Sequence, residues 1–101
     1  MIVYNITMKV TPAIETAWLQ WQQEEHIPEV MATGYFNNHR FYKLLEQDEN
    51  EGVTYVVQYF ADNMQAYQDY IDKHAPSLRV KAQEKWGNQF IAFRTLMQAV
   101  N

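Results

Sequence analysis

The chain has no cysteine, three glycines, three prolines and one serine. Without cysteine there can be no disulfide, thiolate nucleophile or cysteine-ligated zinc, and the core must stabilise the fold unaided. The lone serine lies in His74-Ala75-Pro76-Ser77-Leu78, which lacks the glycines of a nucleophile elbow. Isolated glycines offer no phosphate-cradling loop, and no histidine pair has metal-ligand spacing, so no metal is expected. Basic residues are also scarce: eight Lys and Arg against twelve Asp and Glu leave a net charge of −4. Duplex-binding modules draw their affinity from cationic faces, so this balance argues against a nucleic-acid partner. Long apolar runs are missing too. Lys9, Glu24, Arg40 and Asp62 break every stretch well before the ~18 residues a membrane span needs. Met1-Ile2-Val3-Tyr4-Asn5 has no basic segment ahead of an apolar run, so no secretory signal is expected and a cytoplasmic location is.

What is present fits one domain over residues 1–101, with 48% hydrophobic and 20% charged residues. Fifteen residues per hundred are aromatic, and seven of these side chains are tyrosine. Tyr and Trp combine large area with a polar tip, which suits cores, interfaces and ligand pockets alike.

Apolar side chains alternate from Ile2 through Tyr4, Ile6 and Met8 to Val10, the period of a strand. Thr11-Pro12 predicts a helix start, followed by a stripe at Ile14, Ala17, Trp18 and Trp21. His26-Ile27-Pro28 predicts a break, and Gly34 a C-terminal stop. A strand is expected from Tyr35 to about Glu46, then a polar loop ending at Gly52, then a strand over 53–60. Asp62, with Gln65 three residues on, predicts a capped second helix with its stripe at Met64, Tyr67, Ile71, His74 and Leu78. Pro76 predicts another break, Gly87 the end, and Phe90 to Val100 the last strand.

The resulting β-α-β-β-α-β order is that of a ferredoxin-like α+β fold, a four-stranded antiparallel sheet with helices on one face. The halves echo one another: His26-Ile27-Pro28 answers His74-Ala75-Pro76, and Phe36 with Arg40 answers Phe90 with Arg94. Two helices cover only one face of such a sheet. Yet Val56 and Phe60 lie opposite Tyr55, Val57 and Tyr59, and Ile91, Phe93 and Met97 lie opposite Phe90 and Leu96. Leaving large apolar side chains wet costs about 1.5–3 kcal/mol each, so a face-to-face homodimer is expected.

The run Trp18-x-x-Trp21-x-x-Glu24-Glu25-His26-Ile27-Pro28 through Met31-Ala32-Thr33-Gly34 leads into the strand with Arg40. Together with Tyr59-Phe60, His74-Ala75-Pro76 and Phe93-Arg94-Thr95-Leu96, it resembles an uncharacterised family of roughly 100-residue bacterial proteins. That family resembles the dimeric α/β-barrel superfamily, with its antibiotic-biosynthesis-monooxygenase-like and stress-responsive members. The resemblance implies two sheets closed into a barrel between subunits, and a ligand held between sheet and helices. For haem-degrading relatives it implies an asparagine on the first strand, a tryptophan before the second helix and a histidine on that helix. Asn5 and His74 stand at the corresponding places, while Tyr59-Phe60 replaces the tryptophan.

Asn5, Tyr59 and His74 are therefore the candidates nearest any reaction, and Trp18, Trp21, Glu25, His26, Arg40, Tyr67 and Arg94 are candidates for a pocket. His74 on an apolar stripe should face the sheet as a core imidazole, or as a proton shuttle or haem ligand. His26 at a helix break reads as a cation near a C-terminus. An inward Glu25 would need a partner, for which Arg40 is the nearest choice. Arg40 and Arg94 could equally grip an anionic ligand or form ion pairs. The function expected is a homodimeric barrel that binds a small aromatic or hydrophobic ligand and needs no cofactor. A cofactor-independent monooxygenase or isomerase, or a haem enzyme, is the alternative. An RNA-recognition module is least favoured: Gly52, Tyr55 and Val56 match half its strand motif, but Glu51 and Gln58 do not.

Overall fold

The computed structural model describes residues 1–101. Strand β1 (Ile2–Val10) leads through a 3-10 turn (Pro12–Ile14) into helix α1 (Glu15–Trp21). A π turn (Gln22–His26) joins α1 to α2 (Ile27–Ala32), which is followed by β2 (Asn38–Lys43) and β3 (Val53–Ala61). Helices α3 (Met64–Lys73) and α4 (Ala75–Trp86) then precede β4 (Phe90–Gln98). The antiparallel sheet has the order β2-β3-β1-β4, which places both central strands where the alternation is cleanest. This is the ferredoxin-like fold expected. No helix is long and apolar enough to cross a membrane.

Register follows from burying one face. In β1 the even-numbered Ile2, Tyr4, Met8 and Val10 are buried under the helices, and in β3 the odd-numbered Val53, Tyr55, Val57, Tyr59 and Ala61. A one-residue slip would turn either set outward, so the pairing Tyr4↔Tyr59 and Ile6↔Val57 is strongly specified. The core is aromatic. Phe36 packs against Tyr59 at 5.2 Å and Tyr70 at 4.8 Å between ring centroids, and Trp18 against Tyr55 at 5.2 Å.

Several local expectations are corrected. His26-Ile27-Pro28 does not break the first helix. Pro28 has no N–H for the carbonyl four residues back, and its ring would crowd that carbonyl. The chain answers by widening: Ile27 donates its N–H to the Gln22 carbonyl, five residues back. A true break does occur at His74, whose φ of −123° and ψ of −37° separate α3 from α4. Asn63, not Asp62, caps α3, accepting from the Ala66 N–H at 2.9 Å. Asp62 instead accepts from the Asn37 amide at 2.6 Å, tying the loop before β2 to the end of β3. Met64 is exposed and Tyr70 takes the buried place on α3. Tyr35 and Phe36 precede β2 rather than belonging to it, and Phe36 is buried. Gly34, at φ +81°, does end the first helical arm, a conformation costly for residues with a Cβ.

Tyr59 is 1% exposed, and its hydroxyl has no hydrogen-bond partner within the protein. An unsatisfied buried donor costs about 1–3 kcal/mol. Tyr59→Phe is therefore expected to stabilise the protein by about 1 kcal/mol, read as a higher urea midpoint at equal protein concentration. A lower midpoint would show that the hydroxyl finds a partner.

The face without helices is mixed. Its centre is polar, with Gln58 donating to Asn5 at 3.3 Å and Asn5 to Thr7 at 3.4 Å. Val3, Val56 and Phe60 lie half-buried beside them. On edge strand β4, Ile91 is 53% and Phe93 64% exposed.

Candidate functional site

Between the helix-side face of β1 and β4 and the helices lies one sizeable cavity of about 660 Å³. Tyr4, Ile6 and Met8 form its floor because they share the inward parity of β1. Phe90, Ala92 and Arg94 extend that floor onto β4, where the register sets them opposite Val10, Met8 and Ile6. Trp18, Trp21, Gln22 and His26 form one wall, and Tyr70 of α3 with Leu78, Arg79, Val80, Ala82 and Gln83 of α4 supply the other. Thirteen of the eighteen lining residues are hydrophobic and none is acidic, so the cavity suits an apolar body.

The π turn matters here. It keeps the helix going while advancing the side-chain register, so that Gln22 and His26 both reach the cavity wall. The His26 ring stacks on Trp21 at 4.7 Å and 23° between planes. Burial pushes its imidazole down to about 4; the Glu29 carboxylate opposes this, and Lys81 and Arg94 reinforce it. His26 is thus a neutral imidazole at neutral pH, which corrects the expectation of a cation at a helix end. Gln22 is 2% exposed; its amide N–H donates to the Met8 sulfur at 3.6 Å, and its Oε1 has no protein partner.

Two cations complete the lining. Arg79 on α4 donates from Nη2 to the Tyr4 hydroxyl at 3.0 Å. Arg94 enters from β4, and the fields of both guanidiniums reach Tyr67 and Tyr70. Burial nevertheless dominates at both phenols and raises them above the usual tyrosine range.

The structure brings together four of the candidates read from sequence: Trp18, Trp21, His26 and Arg94. The others lie elsewhere. Arg40 pairs across from Gln58 on the helix-free face, so the Phe-x-x-x-Arg echo ends with its two arginines on opposite faces of the sheet. Glu25 is exposed, lines a shallow hollow with Lys85 and Trp86, and makes no ion pair with Arg40. It is Glu29 that pairs with Lys81, at 2.8 Å, and Glu15 that meets Lys43, at 3.7 Å. Tyr67 packs edge-on to Tyr4 at 5.3 Å and is not part of the cavity lining. His74 sits at the α3–α4 junction between Tyr35 and Tyr70, with ring centroids 5.6 and 6.3 Å away. Asn5 faces the helix-free side and Tyr59 the helix side.

Asn5, Tyr59 and His74 therefore share no site, and the constellation implied for haem does not fit this chain: the one imidazole on the cavity wall is His26, stacked on Trp21. No group of three His, Asp or Glu side chains converges as a metal site. Tyr55, the aromatic of the half-matched RNA motif, is buried beneath the helices and cannot stack a base.

Among the lining residues that were not candidates from sequence are Tyr4, Gln22 and Arg79. Gln22 did carry a signal, since it stands four residues after Trp18 and so on the apolar stripe.

Solved structures share this architecture. An ethyl tert-butyl ether d (ethd) family protein from Bacillus halodurans c-125 superposes with a TM-score of 0.69 at 13% identity, covering 99% of this chain and 100% of its own. A dimeric ferredoxin-like protein from an uncultured marine organism gives 0.66 at 17%, covering 100% and 96%. An antibiotic biosynthesis monooxygenase gives 0.65 at 13%, covering 100% of both chains. These identities establish a common fold. No curated protein matches the chain. Over residues 1–100 it matches the family described as Domain of unknown function (DUF4286), and the chain belongs to that family.

Proposed function

We propose that the protein is a homodimeric, cytoplasmic bacterial barrel that binds a small hydrophobic or aromatic molecule and performs no chemistry on it. The observation that carries this reading is the 660 Å³ cavity, walled by Trp18, Trp21 and other apolar side chains. Binding is favoured over catalysis because the cavity's one imidazole, His26, has its pKa pushed down to about 4. A base that weak is poorly matched to proton abstraction at neutral pH. The reading needs no cofactor, and a net charge of −4 goes against nucleic acid as partner.

The test uses N-phenyl-1-naphthylamine, an uncharged fluorophore of aromatic-ligand size. Saturable binding of one probe per chain, with energy transfer from tryptophan, is expected. Ala82→Trp, which places an indole in the cavity wall, should abolish it. Unsaturable binding, or binding untouched by Ala82→Trp, would reject the cavity as the site.

The dimer rests on the exposed Ile91 and Phe93, on the dimeric ferredoxin-like relative of the same fold, and on the sheet face without helices. Both residues also belong to the cavity lining on edge strand β4, so a second copy seated there would narrow the entrance. Sedimentation at micromolar concentration should show a dimer, and Phe93→Glu should return a folded monomer by burying an unpaired charge at the contact. A monomeric wild type would sink the assembly.

A further inference from the structure

We propose that the cavity's ligand is an amphiphilic anion: an apolar, aromatic body bearing one carboxylate or sulfonate held by Arg79 and Arg94, and an N–H or O–H donor facing Gln22. This rests on the cavity being the binding site, and adds the chemical class of what enters it.

Three observations converge. The chain carries an excess of acids, yet not one lines the cavity, while two of its few arginines do. They come from different elements, α4 and β4, and neither is in a salt bridge. Guanidiniums without a carboxylate partner at the edge of an apolar site are suited to an anionic group, which they bind as a planar fork of donors. Arg79 is already oriented, since its Nη2 donates to the Tyr4 hydroxyl at 3.0 Å on the cavity floor. Gln22, in the same lining, is 2% exposed, and its Oε1 accepts no hydrogen bond from the protein. A buried amide oxygen left in this state is costly, and a donor on the ligand would satisfy it once the amide turns toward the cavity. Arg79 is anchored at Tyr4 and Gln22 at Met8, on the same face of β1, and Trp18, Trp21 and Leu78 belong to the same lining. Such a lining selects a flat apolar body.

Two fluorophores of one scaffold separate these parts. 8-Anilinonaphthalene-1-sulfonate carries the anion, and N-phenyl-1-naphthylamine lacks it; both carry the anilino N–H. The wild type should bind the sulfonate at least about tenfold more tightly, the range of charge-assisted hydrogen bonds. In the Arg79→Met, Arg94→Met double variant this ratio should fall to about one, whatever the change in affinity for the uncharged probe. Gln22→Met should weaken N-phenyl-1-naphthylamine, whose N–H is free, more than the sulfonate, whose N–H already donates to its own peri sulfonate oxygen. Both arginines are exposed, so the double variant should fold; if it does not, the ratio in the wild type still decides. Equal affinity for the two probes in the wild type overturns the anion assignment and leaves the cavity reading standing. Failure of both probes overturns the two together. Unchanged or tighter binding of N-phenyl-1-naphthylamine by Gln22→Met overturns the donor.

Discussion

Trp18→Ala is expected to cost about 3–5 kcal/mol of unfolding free energy, the range for removing a large side chain from a packed core. Trp18 is fully buried, and its ring meets Tyr55 at 5.2 Å and Phe41 at 6.2 Å. It joins α1 to two strands and walls the cavity at the same time. The hole left by truncation would open onto that cavity, so the neighbours have little reason to collapse around it. Urea denaturation at fixed protein concentration measures the loss, since a dimer's midpoint shifts with concentration. A cost below about 1.5 kcal/mol would mean that this wall relaxes, and that the site is less preorganised than its geometry indicates.

Acidification from pH 7 to pH 4 is expected to remove about 3 kcal/mol through His26 alone. Its pKa is near 6.5 in the unfolded chain and about 4 in the folded one. The unfolded state therefore holds more protons throughout that window, and stability falls as pH drops. Above pH 6.5 both states hold the ring neutral and the contribution is fully present. It shrinks by about 1.4 kcal/mol per unit down to the folded pKa and then levels off. Carboxylates also titrate near the lower limit, so the decisive measurement is a difference. The urea midpoint of His26→Gln should depend much less on pH between 6.5 and 4.5 than that of the wild type. Parallel pH profiles would show that the imidazole is wetter than its stacking on Trp21 suggests.

The reach of the sequence can be followed element by element. Strands β1 and β3 were legible nearly to their ends, because period-2 alternation marks a strand with one buried face. Both helical regions were legible from their apolar stripes. The π turn was not: a residue before proline is normally taken as a helix boundary, and only packing shows whether the helix ends or widens. Here Trp18, Trp21 and Ile27 are all buried on one side of the arm, so continuing the helix keeps all three in the core. The cap on α3 was missed by one residue because Asp62 and Asn63 are both good caps, and Asp62 is taken up by Asn37.

Arg40 and Arg94 make the clearest case. In the sequence they occupy equivalent places after a phenylalanine. In the fold Arg94 aligns with Ile6 on the helix side, while Arg40 aligns with Gln58 on the bare side. Side-chain facing depends on the register between strands, and register comes from non-local pairing. His74 shows the same limit. Its helical spacing did place it on the packed side of α3, but the kink at its own backbone leaves it against Tyr35 and Tyr70, away from the cavity.

The amino-acid order by itself determined the β-α-β-β-α-β layout, the aromatic core and the absence of cysteine or phosphate-loop chemistry, since each is written in local periodicity or composition. Only the tertiary structure decided which side chains meet. Gln22, His26, Arg79 and Arg94 come from three separate elements and share one cavity because β4 pairs with β1 in a single register and α4 packs across them. A site assembled by such long-range contacts leaves almost no local trace in the chain that forms it.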